Sequence, residues 1–205
     1  MWPWEHALVG YLVYSLFCHG YYRERPGELE ALVVAVASVL PDVVDKPLAW
    51  QFEVFQSGYA LGHSIFFTVP LAVAAGAIAR QYGRTRVGVA FAIGYSFHLV
   101  GDVVPIYLSA GVWTIRHLYW PVVVVEGTGH DGFVTGVRTN LIPYLETVLA
   151  LEPTPALSIR AGALAGTMLL WHVDGRPGLR PFQTVMAASY AILERYGPLE
   201  PGSRN

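Results

Sequence analysis

Charge is scarce in this chain. Asp, Glu, Lys and Arg make up 14% of its 205 residues, against 54% hydrophobic residues, where a soluble domain carries about 25% charge. Disorder does not account for the deficit. Aromatics reach 13%, and no polar low-complexity tract is present. Cysteine is almost absent too: Cys18 is the only one, which excludes an intrachain disulfide and every Cys-based zinc motif. Any metal would have to be held by His and carboxylates. A formal net charge of -2 gives no electrostatic reason to expect a nucleic-acid partner. The opening stretch MWPWEHALVG lacks the basic n-region of a signal peptide, so the first apolar segment is expected to be retained as a span.

What is there instead is a series of apolar runs, with a mean hydropathy of +0.42 for the whole chain. They cover residues 6–22, 29–50, 63–80, 87–111 and 156–173. The third and fifth fall short of the about 20 residues of a full crossing, and the second is interrupted near its end by Pro41 and the polar residues after it. Between the fourth and fifth runs, PVVVVEGTGHDG reads as a β-branched stretch followed by turn residues. TNLIPYLETVLAL and the tail PFQTVMAASYAILERYG read as amphipathic helices. The expected fold is all-α: a polytopic membrane bundle of about four to five spans, with one or two amphipathic helices, forming a single membrane-embedded domain over 1–205. The bilayer is the expected partner.

Basic residues orient the spans. If all five runs cross, Arg23, Arg25, Arg80, Arg84, Arg86, Arg176, Arg180, Arg195 and Arg204 share one side, and Lys46, Arg116, Arg138 and Arg160 share the other. The positive-inside rule makes the first side cytoplasmic. His6, Asp42, Asp45 and His63 then lie at the outer ends of their runs, with His98 near mid-depth and Asp102 closer to the outside. Three imidazoles and three carboxylates are thus expected to converge in the non-cytoplasmic half of one bundle.

The local spacings suit a metal centre. His98 and Asp102 are at i,i+4, and Asp42 and Asp45 at i,i+3, so each pair shares a helix face. Gly94 and Gly101 flank the His/Asp pair with no side-chain bulk, which permits close approach of a neighbouring helix. Imidazole with carboxylate suits zinc, manganese or iron. Six candidate ligands exceed the needs of one tetrahedral zinc, which admits a two-ion centre of the kind that cleaves phosphoesters. Taken singly, each motif has a plainer reading: His98 and Asp102 as a hydrogen-bonded pair, Asp42 after Pro41 as a turn or cap, and His6 and His63 as interfacial residues. The shared depth of all six favours metal.

The remaining candidates are weaker. His130 and Asp131 in GTGHDG read as a plain turn, with covering the site, supplying a ligand or orienting a substrate as the alternatives, and His117 as part of an aromatic cluster with Trp113, Tyr119 and Trp120. His19, His172 and Asp174 fall on the cytoplasmic side. Arg116 and Arg138 are candidate anion clamps.

The order H…G (His6 to Gly10), LPDVVD (Leu40 to Asp45), GHS (Gly62 to Ser64) and HLVGD (His98 to Asp102) resembles the membrane-bound metal-dependent hydrolases, the YdjM-like family. The resemblance covers roughly the first 110 residues. It implies a distant likeness to zinc-dependent phospholipase C and its nuclease relatives, all-α enzymes whose His and Asp ligands hold a zinc cluster. Carried over, it implies metal ligation by His6, by Asp42 or Asp45, and by His63, His98 and Asp102. A PDxDH-like run is expected there, whereas here the second acid comes one residue later and Lys46 follows it.

The expected activity is metal-dependent hydrolysis of a phosphoester, amphiphilic and reached from the outer interface, with Asp42 or Asp45 as general base. Two rivals come from other classes. An ion or proton transport protein would need a polar path to the cytoplasmic face, whereas the inner halves of runs one, three and four read as apolar. A non-enzymatic membrane protein would use the cluster only to staple its helices.

Overall fold

The computed structural model describes residues 1–111, 113–127, 132–150 and 154–196. His130 and Asp131 lie outside the described residues. Among those described, the regular structure is entirely helical, with eight α-helices: α1 Pro3–Phe17, α2 Glu28–Ala37, α3 Leu40–Trp50, α4 Ile65–Gln81, α5 Thr85–Ala110, α6 Phe133–Leu149, α7 Pro155–Val173 and α8 Leu179–Tyr196. A π-helical turn, Cys18–Tyr22, extends α1, and a 3-10 turn, Arg116–Tyr119, follows α5.

The long second run is not one helix. It breaks at Ser38 and Val39 into α2 and α3, of 10 and 11 residues. Pro41 explains the break: it has no N–H to give the carbonyl four residues back, and it sits at the start of α3, where that donor is dispensable. At about 1.5 Å per residue, neither helix reaches across a hydrocarbon core of about 30 Å. One helix among the described residues is both long and apolar enough to cross a membrane, the Thr85–Val104 part of α5. The 17-residue α4 is apolar but shorter. The expectation of four to five such crossings is therefore met, by length and hydropathy, for α5 alone.

Helix α5 is the centre of the molecule, packed against α1, α2 and α4, with α7 set against α1. Small residues bring the backbones close. A Cβ on Gly94 would stand 2.5 Å from the Val34 carbonyl and 3.1 Å from the Ala37 methyl, and one on Gly10 would strike the Ser38 hydroxyl. Ala31, Val34, Ala37 and Ala90 fill the interface with Tyr11 and Tyr14. Packing of this kind replaces hydrophobic collapse where the surroundings are themselves apolar. Local signals set the ends: Ser64 accepts from the Phe66 N–H to start α4, and Thr154 from the Leu157 N–H to start α7.

The C-terminal half of α1 is less apolar than its sequence suggests. Tyr11 and Ser15 both donate to Oδ2 of buried Asp174 at 2.6 Å, and His19 Nε2 meets its Oδ1 at 2.7 Å. This contact fastens the end of α7 to α1. Outside, the surface stays oily: Phe66, Phe67, Val69, Val73 and Ile78 on α4 and Leu164, Met168, Leu169 and Val173 on α7 are all exposed.

Candidate metal centre

The break between α2 and α3 places the first part of the site. Ser38 ends α2, and its carbonyl accepts from His98 Nδ1 at 2.7 Å. A carbonyl can only accept, so that ring nitrogen carries the proton and Nε2 presents a lone pair. His63 is set in the same way by Asp45. The Asp45 carboxylate accepts from the backbone N–H groups of Ala60 (2.8 Å), Gly62 (2.8 Å) and His63 (3.2 Å), and from His63 Nδ1 at 2.8 Å. Its acceptor capacity is taken up by these four donors, and His63 Nε2 is left as an acceptor on the far side of the ring. Gly62 is required in this turn, since a Cβ there would stand 2.8 Å from the Pro41 carbonyl oxygen.

The two free imidazole nitrogens face each other at 3.1 Å. Two carboxylate oxygens close the group. Asp42 Oδ1 is 3.5 Å from His63 Nε2 and 3.8 Å from His98 Nε2. Asp102 Oδ2 is 3.4 Å and 3.6 Å from the same two atoms. One donor atom from each of Asp42, His63, His98 and Asp102 lies within 4.8 Å of the others, and all four residues are buried. Asp42 Oδ1 makes no hydrogen bond.

With both imidazoles neutral, four lone-pair atoms converge with no N–H or O–H aimed among them. Left so, they repel, and a buried acceptor without a partner costs about 1–3 kcal/mol. A cation at their centre removes both penalties. His and Asp donors are the set that holds zinc and neighbouring transition ions, and the hydrogen bonds from both Nδ1 groups are the usual outer support of such ligands. The residues fit a metal ion.

His6 borders the group. Its ring stacks on His98 at 3.8 Å between centroids, and its Nε2 lies 3.2 Å from Asp102 Oδ1, which also accepts from the Met1 amino group. Neither His6 ring nitrogen makes a hydrogen bond. Gly101 gives the ring its room: a Cβ there would be 3.0 Å from His6 Nδ1. The structure thus brings all six candidate residues into one cluster. Asp42, His63, His98 and Asp102 form its converging core, His6 lies beside Asp102, and Asp45 sits behind His63 with its oxygens engaged.

His117, read from sequence as part of an aromatic cluster, and Tyr59, which no motif marks, belong to the surroundings. His117 is 5% exposed and its Nε2 has no partner. Its ring lies 5.1 Å from that of Tyr59, which meets His63 edge-on at 4.8 Å. Burial pushes the His117 imidazole down from its ordinary value, which keeps it neutral. Neither residue has a spacing that would single it out in the sequence. Arg116 and Arg138, by contrast, are exposed.

A cavity of about 620 Å³ adjoins the cluster, and Asp42 is the one member of the converging four on its wall. Trp2, Trp50, Tyr59, Phe133 and Tyr144 give the lining aromatic surface, and Glu5, Lys46, Glu126 and Arg160 give it charge. Volumes of about 300–1,000 Å³ suit small organic ligands.

An all-helical protein with an oily exterior and a buried His/Asp centre of metal-binding type is the class these features define. The chain matches the family model described as YdjM inner membrane protein over residues 1–173, and it belongs to that family. Membership makes it a membrane protein. No curated protein and no solved structure matches the chain.

Proposed function

We propose that the protein is a membrane-embedded, metal-dependent hydrolase of phosphoesters. One observation carries the reading: a potential ligand atom from each of four buried residues, Asp42, His63, His98 and Asp102, meets beside a cavity with aromatic residues in its wall. A bound divalent ion supplies Lewis acidity toward a phosphoryl oxygen and acidifies water toward a pKa of about 7. Zinc is favoured by the donor types. Asp102 Oδ1 and His6 Nε2 offer two donors toward a second ion.

The chain's own residues divide the remaining work. His63, His98 and Asp102 would hold the ion, three protein ligands being usual for a catalytic zinc. Asp42, the one of the four on the cavity wall, would share in holding it or take the proton of an attacking water. Asp45, engaged by four donors, holds His63 in its tautomer rather than exchanging protons itself. The aromatic wall accepts the apolar part of an amphiphilic substrate. α1, α4 and α7 accompany α5 across the bilayer, and α2 with α3 forms a broken crossing. The positive-inside rule then puts the cavity at the non-cytoplasmic interface.

The test uses the full chain in detergent. Elemental analysis should find one to two equivalents of a divalent transition ion, with turnover of a phosphodiester or phosphomonoester. His63→Ala should lose most of both. Metal-free wild type, with behaviour unchanged by His63→Ala, would end the hydrolase reading.

A further inference from the structure

Lys46 lies one helical turn after Asp42 on α3, and its Nζ donates to Asp42 Oδ2 at 2.5 Å. That contact places an ammonium one carboxylate away from the four converging acceptors. The side chain is 23% exposed and lines the cavity. Its stem is held in place: a Cβ on Gly58 would stand 3.2 Å from Lys46 Cγ, and Nζ is 5.9 Å from the Trp50 ring centroid. An ammonium has three N–H donors, and among the described residues Asp42 is its one hydrogen-bond partner. Two N–H groups are therefore left toward the cavity.

The other basic side chain on that wall is already engaged. Arg160 pairs with Glu5 at 3.7 Å and lies over the Tyr144 ring at 5.7 Å. Glu5 also accepts from the Trp2 N–H and the Tyr144 hydroxyl. Arg160 is thus paired, and of the two basic side chains on the wall Lys46 is the one beside the metal centre, with Glu126 adding a negative charge to the same lining.

We propose that Lys46 anchors the substrate's anionic group, so that the cavity selects esters carrying a negative phosphoryl oxygen over neutral esters. The inference rests on the hydrolase reading for its chemistry, but Lys46 can be tested apart from turnover. The competing role is that of a counter-ion that serves only to hold Asp42.

The full-length protein in detergent is loaded with Co²⁺ as a spectroscopic probe and titrated with inorganic phosphate. Phosphate should shift the visible bands of the wild type. Lys46→Gln should keep its cobalt and bind phosphate at least tenfold more weakly, and Lys46→Arg should recover most of the loss. Lys46→Gln should raise KM for an anionic phosphodiester about tenfold, a larger loss than any it causes for a neutral carboxylic ester, because the change at Asp42 is common to both substrates. Equal phosphate binding by wild type and Lys46→Gln overturns the proposal, and so does loss of cobalt from Lys46→Gln, which marks a counter-ion. Lys46-dependent phosphate binding without turnover of any ester sustains the anchor and sinks the hydrolase reading. If no cobalt binds, phosphate-dependent stabilisation of wild type against Lys46→Gln in thermal unfolding decides the question alone.

Discussion

Asp45 touches the candidate centre only through His63, yet three backbone N–H groups and an imidazole are spent on it. The arrangement serves orientation: the His63 proton is pinned on Nδ1, and the ring is aimed at Asp42 and Asp102. Asp45→Asn keeps the size but replaces an acceptor oxygen with a donor, so one N–H loses its partner and the tautomer is no longer enforced. Metal affinity should fall about 10–100-fold, as for other outer-shell partners, with the fold kept; chelator competition measures it. Affinity equal to wild type would show that the hydrogen bond does not set the ligand. At this scale the sequence was partly legible. The i,i+4 spacing of His98 and Asp102 marks one face of α5. The motif PDVVD does not reveal which aspartate faces inward, because that depends on the loop at residues 60–63 wrapping around Asp45. His117 and Tyr59 were illegible, since their proximity to His63 comes from chain segments that no spacing relates.

Among the elements, the α2–α3 break and the α5 glycines act as one device. Ser38 reaches His98 because α5 lies against the end of α2, and Gly94 makes that approach possible. Gly94→Ala would push a methyl into the Val34 carbonyl and the Ser38 hydroxyl. We expect a loss of about 1–3 kcal/mol, typical of overpacking, read as a lower midpoint of thermal unfolding in detergent. Bound metal should fall with it, because His98 moves away from its carbonyl. A destabilised variant with full metal content would separate the two effects. The value of glycine at 94 and 101 was legible in advance, whereas the division of run 29–50 was not. Pro41 signals a helix start as readily as a kink. Deciding between them needs the neighbouring helix, whose His98 donates to the Ser38 carbonyl at the break. Tyr11, Ser15 and Asp174 show the same limit: hydropathy averages hide a polar contact between distant helices.

For the whole molecule, the exposed apolar residues of α4 and α7 are the largest physical fact. Left in water, they would make a surface prone to association; in a bilayer they face their own kind. The protein should therefore remain in the membrane pellet after an alkaline carbonate wash, which strips peripheral proteins, and enter solution only with detergent. Recovery in the aqueous fraction would refute the embedded arrangement. The all-helical class was legible from composition, because low charge with abundant aromatics leaves few other outcomes. The number of crossings was less so, since several helices are shorter than the runs that contain them.

The acceptor that fixes His98 is a main-chain oxygen. A scan replacing each side chain in turn would remove the Ser38 hydroxyl and its bond to the Val34 carbonyl while leaving that oxygen in place. An edit to the peptide link itself, such as an amide-to-ester exchange between residues 38 and 39, weakens it, together with loss of the Val39 N–H bond to the Val36 carbonyl. A determinant of this centre is thus written in the path of the chain, where variation among side chains neither exposes it nor readily erodes it.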